Sequence, residues 1–482
     1  MNYIGVDMIF SWTFFIDIGI ISLALLTATW LRSKIVFFQK FLIPNSIIAG
    51  FLLLPLYNFV LPGLGISSMG LGELAYHMLS ISFIAITLRT NKWKNRKRGK
   101  NIYATSVVII SQMILQVIIG IGVTLVFIYT VRPELFHSFG YLLPLGFAQG
   151  PGQAYAIGES WKNFGIQDAG SIGLTFAAIG FIFCSIGGIY LINYGVKKGW
   201  ITQEQLDQLK KDRSRTGIYK TESEKPVGAY LSTQSEAIDS MTLHVGLVFF
   251  TYLFTFLMLK LIGFLLSFAG PLGMELAENF WGISFVFAAL SGIIVKNLLK
   301  LLKLQYIVDN HSMHRISGVS IDVMVTSAIA AISLVIVMNY WFPILVAVLL
   351  GGAVTIITTP WMCSRMFTDY PFIRMILLFG VSTGTLSTGL ALLRVVDPDF
   401  ETPVAEDYSY ASGLTFFMFI PFILTINFPS KAFQTGDPKW MYMSFAVIAA
   451  YVLFMLVSIF LISGRKLLKG KRTMWNTLLI QK

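Results

Sequence analysis

Long apolar blocks separated by short charged segments make up this chain. A helix crosses a bilayer with roughly 20 mostly apolar residues. Eleven blocks qualify, near 9–31, 42–60, 74–90, 102–130, 169–196, 242–267, 280–302, 316–339, 342–365, 409–428 and 440–463. Two more, 141–164 and 372–395, are apolar but broken by glycine and small polar residues, and read poorly as plain spans. The pattern predicts an all-α integral membrane protein of about 11 transmembrane helices.

Composition agrees. Of 482 residues, 55% are hydrophobic and 12% charged, against about 25% charged in soluble domains. A soluble enzyme with a large core is excluded. The net charge of +12 does not point to nucleic acid, because the positive residues cluster at the ends of apolar runs, as they do at cytoplasmic membrane flanks. Cys184 and Cys363 both sit in apolar blocks, which leaves no disulfide framework and no zinc pattern. No transition-metal site is expected. The first block starts after Met1–Asp7 without a basic leader and is read as a retained span.

Lys and Arg in short loops set the orientation. The loop after the third block carries Arg89, Lys92, Lys94, Arg96, Lys97, Arg98 and Lys100; the loop before it, Tyr57 to Glu73, carries none. The N-terminus is therefore expected outside. Lys197 and Lys198, then Lys296, Lys300 and Lys303, and the tail with Arg465, Lys466, Lys469, Lys471 and Arg472 fall inside. This holds only if each broken block returns to the side it left, as a re-entrant hairpin. Irregular backbone at membrane depth is tolerated only when buried in protein or lining a wet cavity.

The halves then match: four spans, a broken hairpin and a fifth span, inserted in opposite senses. That is an inverted-topology repeat. The expected units are residues 1–197 (first repeat), 198–241 (a polar cytoplasmic linker, with a possible short surface helix at Gln203–Arg213), 242–428 (second repeat) and 429–482 (an added span and basic tail).

Candidate chemistry sits in the broken blocks. The first contains Gly146-Phe-Ala-Gln-Gly150-Pro-Gly152-Gln-Ala154. Glycine lets backbone N–H and C=O groups face a ligand closely, and Gln149 and Gln153 add amides. The second contains Gly380-Val-Ser-Thr-Gly384-Thr-Leu-Ser-Thr-Gly389, with hydroxyls at Ser382, Thr383, Thr385, Ser387 and Thr388. Hydroxyls donate to anions and accept from cations. The bland alternative for both is close helix packing. Arg394 follows, either as a carboxylate clamp or as an interfacial partner of Asp397 or Asp399. Asp17, Glu159 and Asp322 are the intramembrane acids available for coupling; Asp322 has Arg315 as a possible partner. His77 reads as a satisfied buried histidine. No nucleotide-binding loop and no catalytic constellation occur, so an enzyme is not expected.

These residues resemble the bacterial sodium/glutamate symporter family. The likeness is carried by Phe41-Leu-Ile-Pro44-Asn-Ser-Ile-Ile-Ala-Gly50, by Phe83-Ile-Ala-Ile-Thr-Leu88, by Gly150 and Gly152 with Thr175-Phe176 and Gly187-Gly188, and by the placing of the second glycine-rich block. Where the family's first loop resembles Ser-Gly-Gly-His-Gly-Thr-Gly, this chain has Ala148-Gln-Gly150-Pro-Gly152-Gln-Ala154. The resemblance implies a homodimer in the bacterial cytoplasmic (inner) membrane, importing glutamate or a related small anion with Na+ by an elevator motion. It implies no cofactor beyond Na+ as coupling ion. Substrate would meet Gly150, Gly152, Gln153, Thr383, Gly384, Thr385, Ser387, Thr388 and Arg394. Gln149, Thr175 and Ser382 are sodium candidates. The rivals are a proton-coupled carrier or exporter of another organic anion, using Asp17, Glu159 or Asp322, and a channel or membrane sensor.

Overall fold

The computed structural model describes residues 12–41, 43–89, 99–200, 228–234, 236–268, 270–397, 402–464 and 467. The leader Met1–Asp7, the basic loop from Lys92 to Arg98, the proposed helix Gln203–Arg213, Asp399 and the tail basic residues lie outside them, as do the side chains of Ser387 and Arg394.

The described residues hold no strand. In lipid every backbone group must be satisfied within its own segment, and helices achieve this. In chain order the main helices are α1 (Thr13–Lys34), α2 (Asn45–Leu64), α3 (Met69–Leu88), α4 (Gly99–Thr130), α5 (Pro151–Ser160), α6 (Ala169–Lys197), α7 (Ser240–Ser267) and α8 (Pro271–Gly282). They continue with α9 (Ser284–Leu301), α10 (Asn310–Ala330), α11 (Leu334–Met366), α12 (Pro371–Gly384), α13 (Leu386–Val396), α14 (Val404–Leu424), α15 (Phe428–Thr435) and α16 (Lys439–Ser463). Among the described residues, ten helical segments are long and apolar enough to cross a membrane. All eleven expected blocks are helical; the one outside those ten is α10.

α10 is also where expected edges moved. The 316–339 block is a helix over Asn310–Ala330, and α11 already starts at Leu334. Hydropathy runs on across the break, so only tertiary partners reveal it. The Ser333 N–H donates to Ser171 Oγ (2.9 Å) and the Leu334 N–H to Asn58 Oδ1 (3.0 Å), while Asn58 Nδ2 donates to the Ile332 carbonyl (2.9 Å). At the other end, the polar stretch Asn310–Arg315 joins the helix because Asp309 caps it, accepting from the Ser312 N–H at 2.8 Å. Arg315 does not reach for Asp322; its Nε donates to the Gly228 carbonyl at 2.6 Å and pins the end of the linker.

α3 and α10 pack on each other, flanked by α2 and α9. The second buried layer comprises α4, α6 and α11 around the two broken segments. α4 is 32 residues long, about 48 Å at 1.5 Å per residue, and serves as a ruler. Its first turn holds Asn101, which donates to Asp369 Oδ1 (3.0 Å) just before α12. Just past its other end, Arg132 lies over the Tyr340 ring, which also meets Phe136. The two broken segments thus begin at opposite ends of α4.

Candidate functional site

Each broken segment is two helical arms joined at one residue of positive φ. In the first, a tightened turn over His137–Tyr141 leads into a widened turn over Leu145–Gln149, then Gly150, then α5. In the second, α12 and α13 flank Thr385. Gly150 has φ 91° and ψ 178°; Thr385 has φ 97° and ψ 171°. This region is open essentially to glycine alone. A β-branched residue held there is a genuine outlier.

The two breaks touch. A methyl placed on Gly150 would lie 2.5 Å from Thr385 Cγ2. Both residues cap the helix that follows in the same way: Ala154 N–H donates to the Gly150 carbonyl (3.1 Å) and Gly389 N–H to that of Thr385 (3.0 Å). The first N–H groups of a helix have no partner inside it, and the helix dipole places partial positive charge there. The N-termini of α5 and α13 therefore converge. By the same geometry, the carbonyl end of α12 arrives at the Thr385 break.

The arms of each segment return together. At the foot of the first, the Phe136 and Trp161 rings are 6.4 Å apart. Both arms meet the α15 region, through Ser430 to Ser138 (2.7 Å) and Trp161 Nε1 to Asn427 Oδ1 (2.8 Å). In the second, a methyl on Gly380 would lie 2.6 Å from Gly389 Cα, so two glycines let α12 and α13 pack closely. The foot of this segment is ionic: buried Arg374 contacts Asp407 at 2.7 Å and Asp369 at 2.9 Å.

The expected site residues divide on this frame. Gly150 and Thr385 form the contact. Gln153 lies one turn into α5, 4% exposed, with no hydrogen-bond partner among the described residues. Thr383 and Thr388 are buried at the second break, where Thr388 Oγ1 donates to the Thr385 carbonyl (3.0 Å) and Thr383 Oγ1 to that of Phe379 (2.8 Å). Gly384 faces Cys184 and Thr388. Gly152 turns elsewhere: a methyl there would meet Met324 Sδ at 2.6 Å and Leu79 at 3.1 Å, so its missing side chain lets α5 approach α3 and α10. Of the sodium candidates, Gln149 donates to Met113 Sδ (3.2 Å) and Thr175 Oγ1 to the Ser171 carbonyl (2.9 Å), while Ser382 Oγ is buried without a partner.

None of the acids is in contact with Gly150 or Thr385 in the contacts described for them. Glu159 pairs with Lys162 at 2.5 Å, nine residues and about 13 Å along α5 from Gly150. Asp17 is buried in α1 and accepts from the Tyr57 hydroxyl (2.9 Å). Asp322 is half-buried on α10. Asp397, suggested as an Arg394 partner, accepts from the Thr402 N–H (3.1 Å). His77 is exposed rather than buried, with its Nδ1 2.6 Å from the Tyr252 hydroxyl. A cavity of about 370 Å³ between the α1–α2 corner and α6 has apolar walls, including Leu31, Phe51, Phe181 and Ile186, and offers little to an anion.

Sequence reading missed Gln112 and Gln116. They are fully buried on one face of α4. Gln116 Nε2 donates to the Ser382 carbonyl (2.8 Å) and to Thr355 Oγ1 (3.0 Å), and Gln112 Oε1 accepts from Thr358 Oγ1 (3.0 Å). The signal was present, since two amides four residues apart inside a 32-residue apolar helix are costly unless partnered. Arg374 was missed because its acids come from a loop and from α14.

No curated protein and no solved structure matches the chain. A family model described as sodium/glutamate symporter matches residues 13–372. That match runs from α1 into the start of α12 and takes in the whole first broken segment. The family suggested by the loop and glycine patterns is therefore borne out: this multi-pass membrane chain belongs to the sodium/glutamate symporter family.

Proposed function

We propose that the protein imports glutamate, or a closely related small carboxylate, together with Na+, binding the anion where the two broken helices meet. The family is one of transporters. The observation that carries the site is the Gly150–Thr385 contact, which brings two helix N-termini together beside an unpartnered, buried Gln153. N–H groups and partial positive charge suit a carboxylate. Gln153 offers an amide donor for a second polar group of the ligand.

The broken segments act as re-entrant hairpins, the first opening outward and the second inward. Support comes from arms that return to the same foot and from feet at opposite ends of α4. An inverted repeat is supported by exchanged contacts: Gly50 of α2 packs on Ile329 of α10, while Gly292 of α9 packs on Thr87 of α3. Exchanging α2 with α9 and α3 with α10 maps one contact onto the other. The N-terminus lies outside and the C-terminus inside a bacterial inner membrane, on the distribution of Lys and Arg. Transport proceeds as an elevator in a homodimer, with α4, α6, α11 and the hairpins moving against α1–α3 and α7–α10. Gly152 then sits at the sliding surface, against Leu79 and Met324. Each positive charge entering with 100 mV contributes about 2.3 kcal/mol to accumulation.

Uptake of glutamate into proteoliposomes under a Na+ gradient alone, then a proton gradient alone, tests this reading. Accumulation only with Na+ is expected; flux driven only by protons overturns the coupling. Gly152→Val is expected to stop transport while purified protein stays folded. Unaltered uptake would contradict the placing of that glycine at a moving surface.

A further inference from the structure

Behind the second break, two buried side-chain oxygens lack any hydrogen-bond partner: Gln116 Oε1 and Ser382 Oγ. Both residues are essentially unexposed, at 0% and 1%. They are held together, because Gln116 Nε2 donates to the Ser382 carbonyl at 2.8 Å. The amide cannot be reversed to satisfy itself. Its nitrogen already has two acceptors, and the second, Thr355 Oγ1, spends its own proton on the Gly351 carbonyl (2.8 Å). Leaving such oxygens buried and empty is unfavourable unless something occupies the place.

Everything these residues present is neutral oxygen. Ser382 is in the last turn of α12, whose final carbonyls have no intrahelical donors and carry the negative end of the helix dipole. Broken helices in transporters use such ends for cations and the opposite ends for anions. Here the two ends are separated by one residue, Thr385.

We infer that Gln116 Oε1 and Ser382 Oγ, with the terminal carbonyls of α12, form the binding site of the coupling Na+. This rests on the sodium-symport reading, in which Ser382 is already a candidate, and adds Gln116 and the end of α12 to it. It also explains coupling. A cation at the end of α12 and an anion at the start of α13 neutralise one another across one residue, so each lowers the cost of holding the other.

The test is thermal unfolding of the purified full-length protein with Na+ as the only variable, exchanged for K+ at constant ionic strength. Wild type is expected to be stabilised by Na+ in a saturable way. Ser382→Ala removes a hydroxyl without a partner, so in K+ it should unfold at the wild-type temperature or higher. Its half-saturating Na+ should rise about tenfold or more. Gln116→Leu should also lose the Na+ response, but it breaks two hydrogen bonds and is interpreted only beside the serine variant. A wild-type response with unchanged half-saturation in Ser382→Ala overturns this assignment and leaves symport standing. No Na+ response in wild type overturns both.

Discussion

The two broken helices share one backbone conformation and differ in nearly everything else. The first break is a glycine, its foot is tied down by neutral contacts beside a partly exposed Glu159–Lys162 ion pair, and its far arm packs on α3 and α10 through Gly152. The second break is a threonine in a region meant for glycine, its arms touch each other, and its foot is an ion cluster. Backbone strain of this kind costs about 1–3 kcal/mol, and it survives at Thr385 because the surrounding structure holds both arms. The difference lies in what each segment is packed against: the first presents Gly152 to α3 and α10, while the second locks its two arms to each other and gathers hydroxyls at its break.

Breaking the ionic foot should have the largest effect. Arg374→Leu takes the guanidinium away from Asp407, which is fully buried, and removing one partner of such a pair costs about 3–5 kcal/mol. Thermal unfolding in detergent should show a large loss; a shift within error would mean that the foot is not what holds the segment.

The tip contact comes next. Gly150→Ala adds a methyl 2.5 Å from Thr385 Cγ2 at a φ of 91°. A cost of about 1–3 kcal/mol is expected from the backbone alone, with uptake falling at least about tenfold. Thr385→Gly in the same chain removes the clashing methyl and should restore part of that loss. Equal activity in single and double variants would separate the two tips.

The first foot, whose ion pair is partly exposed rather than buried, should tolerate more. Trp161→Phe loses the bond to Asn427 and should cost about 1 kcal/mol, a contrast with Arg374→Leu that the same melts would test.

The smallest effect lies outside both segments. Partial burial would raise the Asp309 carboxyl, but donation from the Ser312 backbone and hydroxyl and from the Tyr230 backbone outweighs it and leaves the group below its ordinary value. A depressed carboxylate stabilises the fold above its unfolded pKa, near about 3.9, and that contribution disappears as pH falls through the folded value. Asp309→Ala should cost about 1 kcal/mol at pH 7 and progressively less toward pH 3. A gap independent of pH would rule out the charged cap.

Helix positions were largely legible because a membrane demands length and apolarity, and both are local properties. Edges were legible wherever a local signal existed, as at Pro371 or at Gly150-Pro151. They failed at Ala331–Ser333, where the stop is made by Asn58 and Ser171, far away in sequence. The site was half legible. Glycine and hydroxyl clusters marked the two breaks, but that the open side of Gly152 faces Leu79 and Met324 was not legible, because a missing side chain does not say which way it opens. Gln116 went unread because its partners come from α11 and α12.

By itself the amino-acid order determined a multi-span helical membrane protein with two interrupted segments, since hydropathy and glycine act over a few residues. Only the tertiary structure decided that Gly150 meets Thr385, that α5 and α13 aim their N-termini at one place, and that Gln116 backs Ser382. Those facts depend on packing between segments more than two hundred residues apart. There, close approach and unpaired polar atoms, rather than local propensity, set the arrangement.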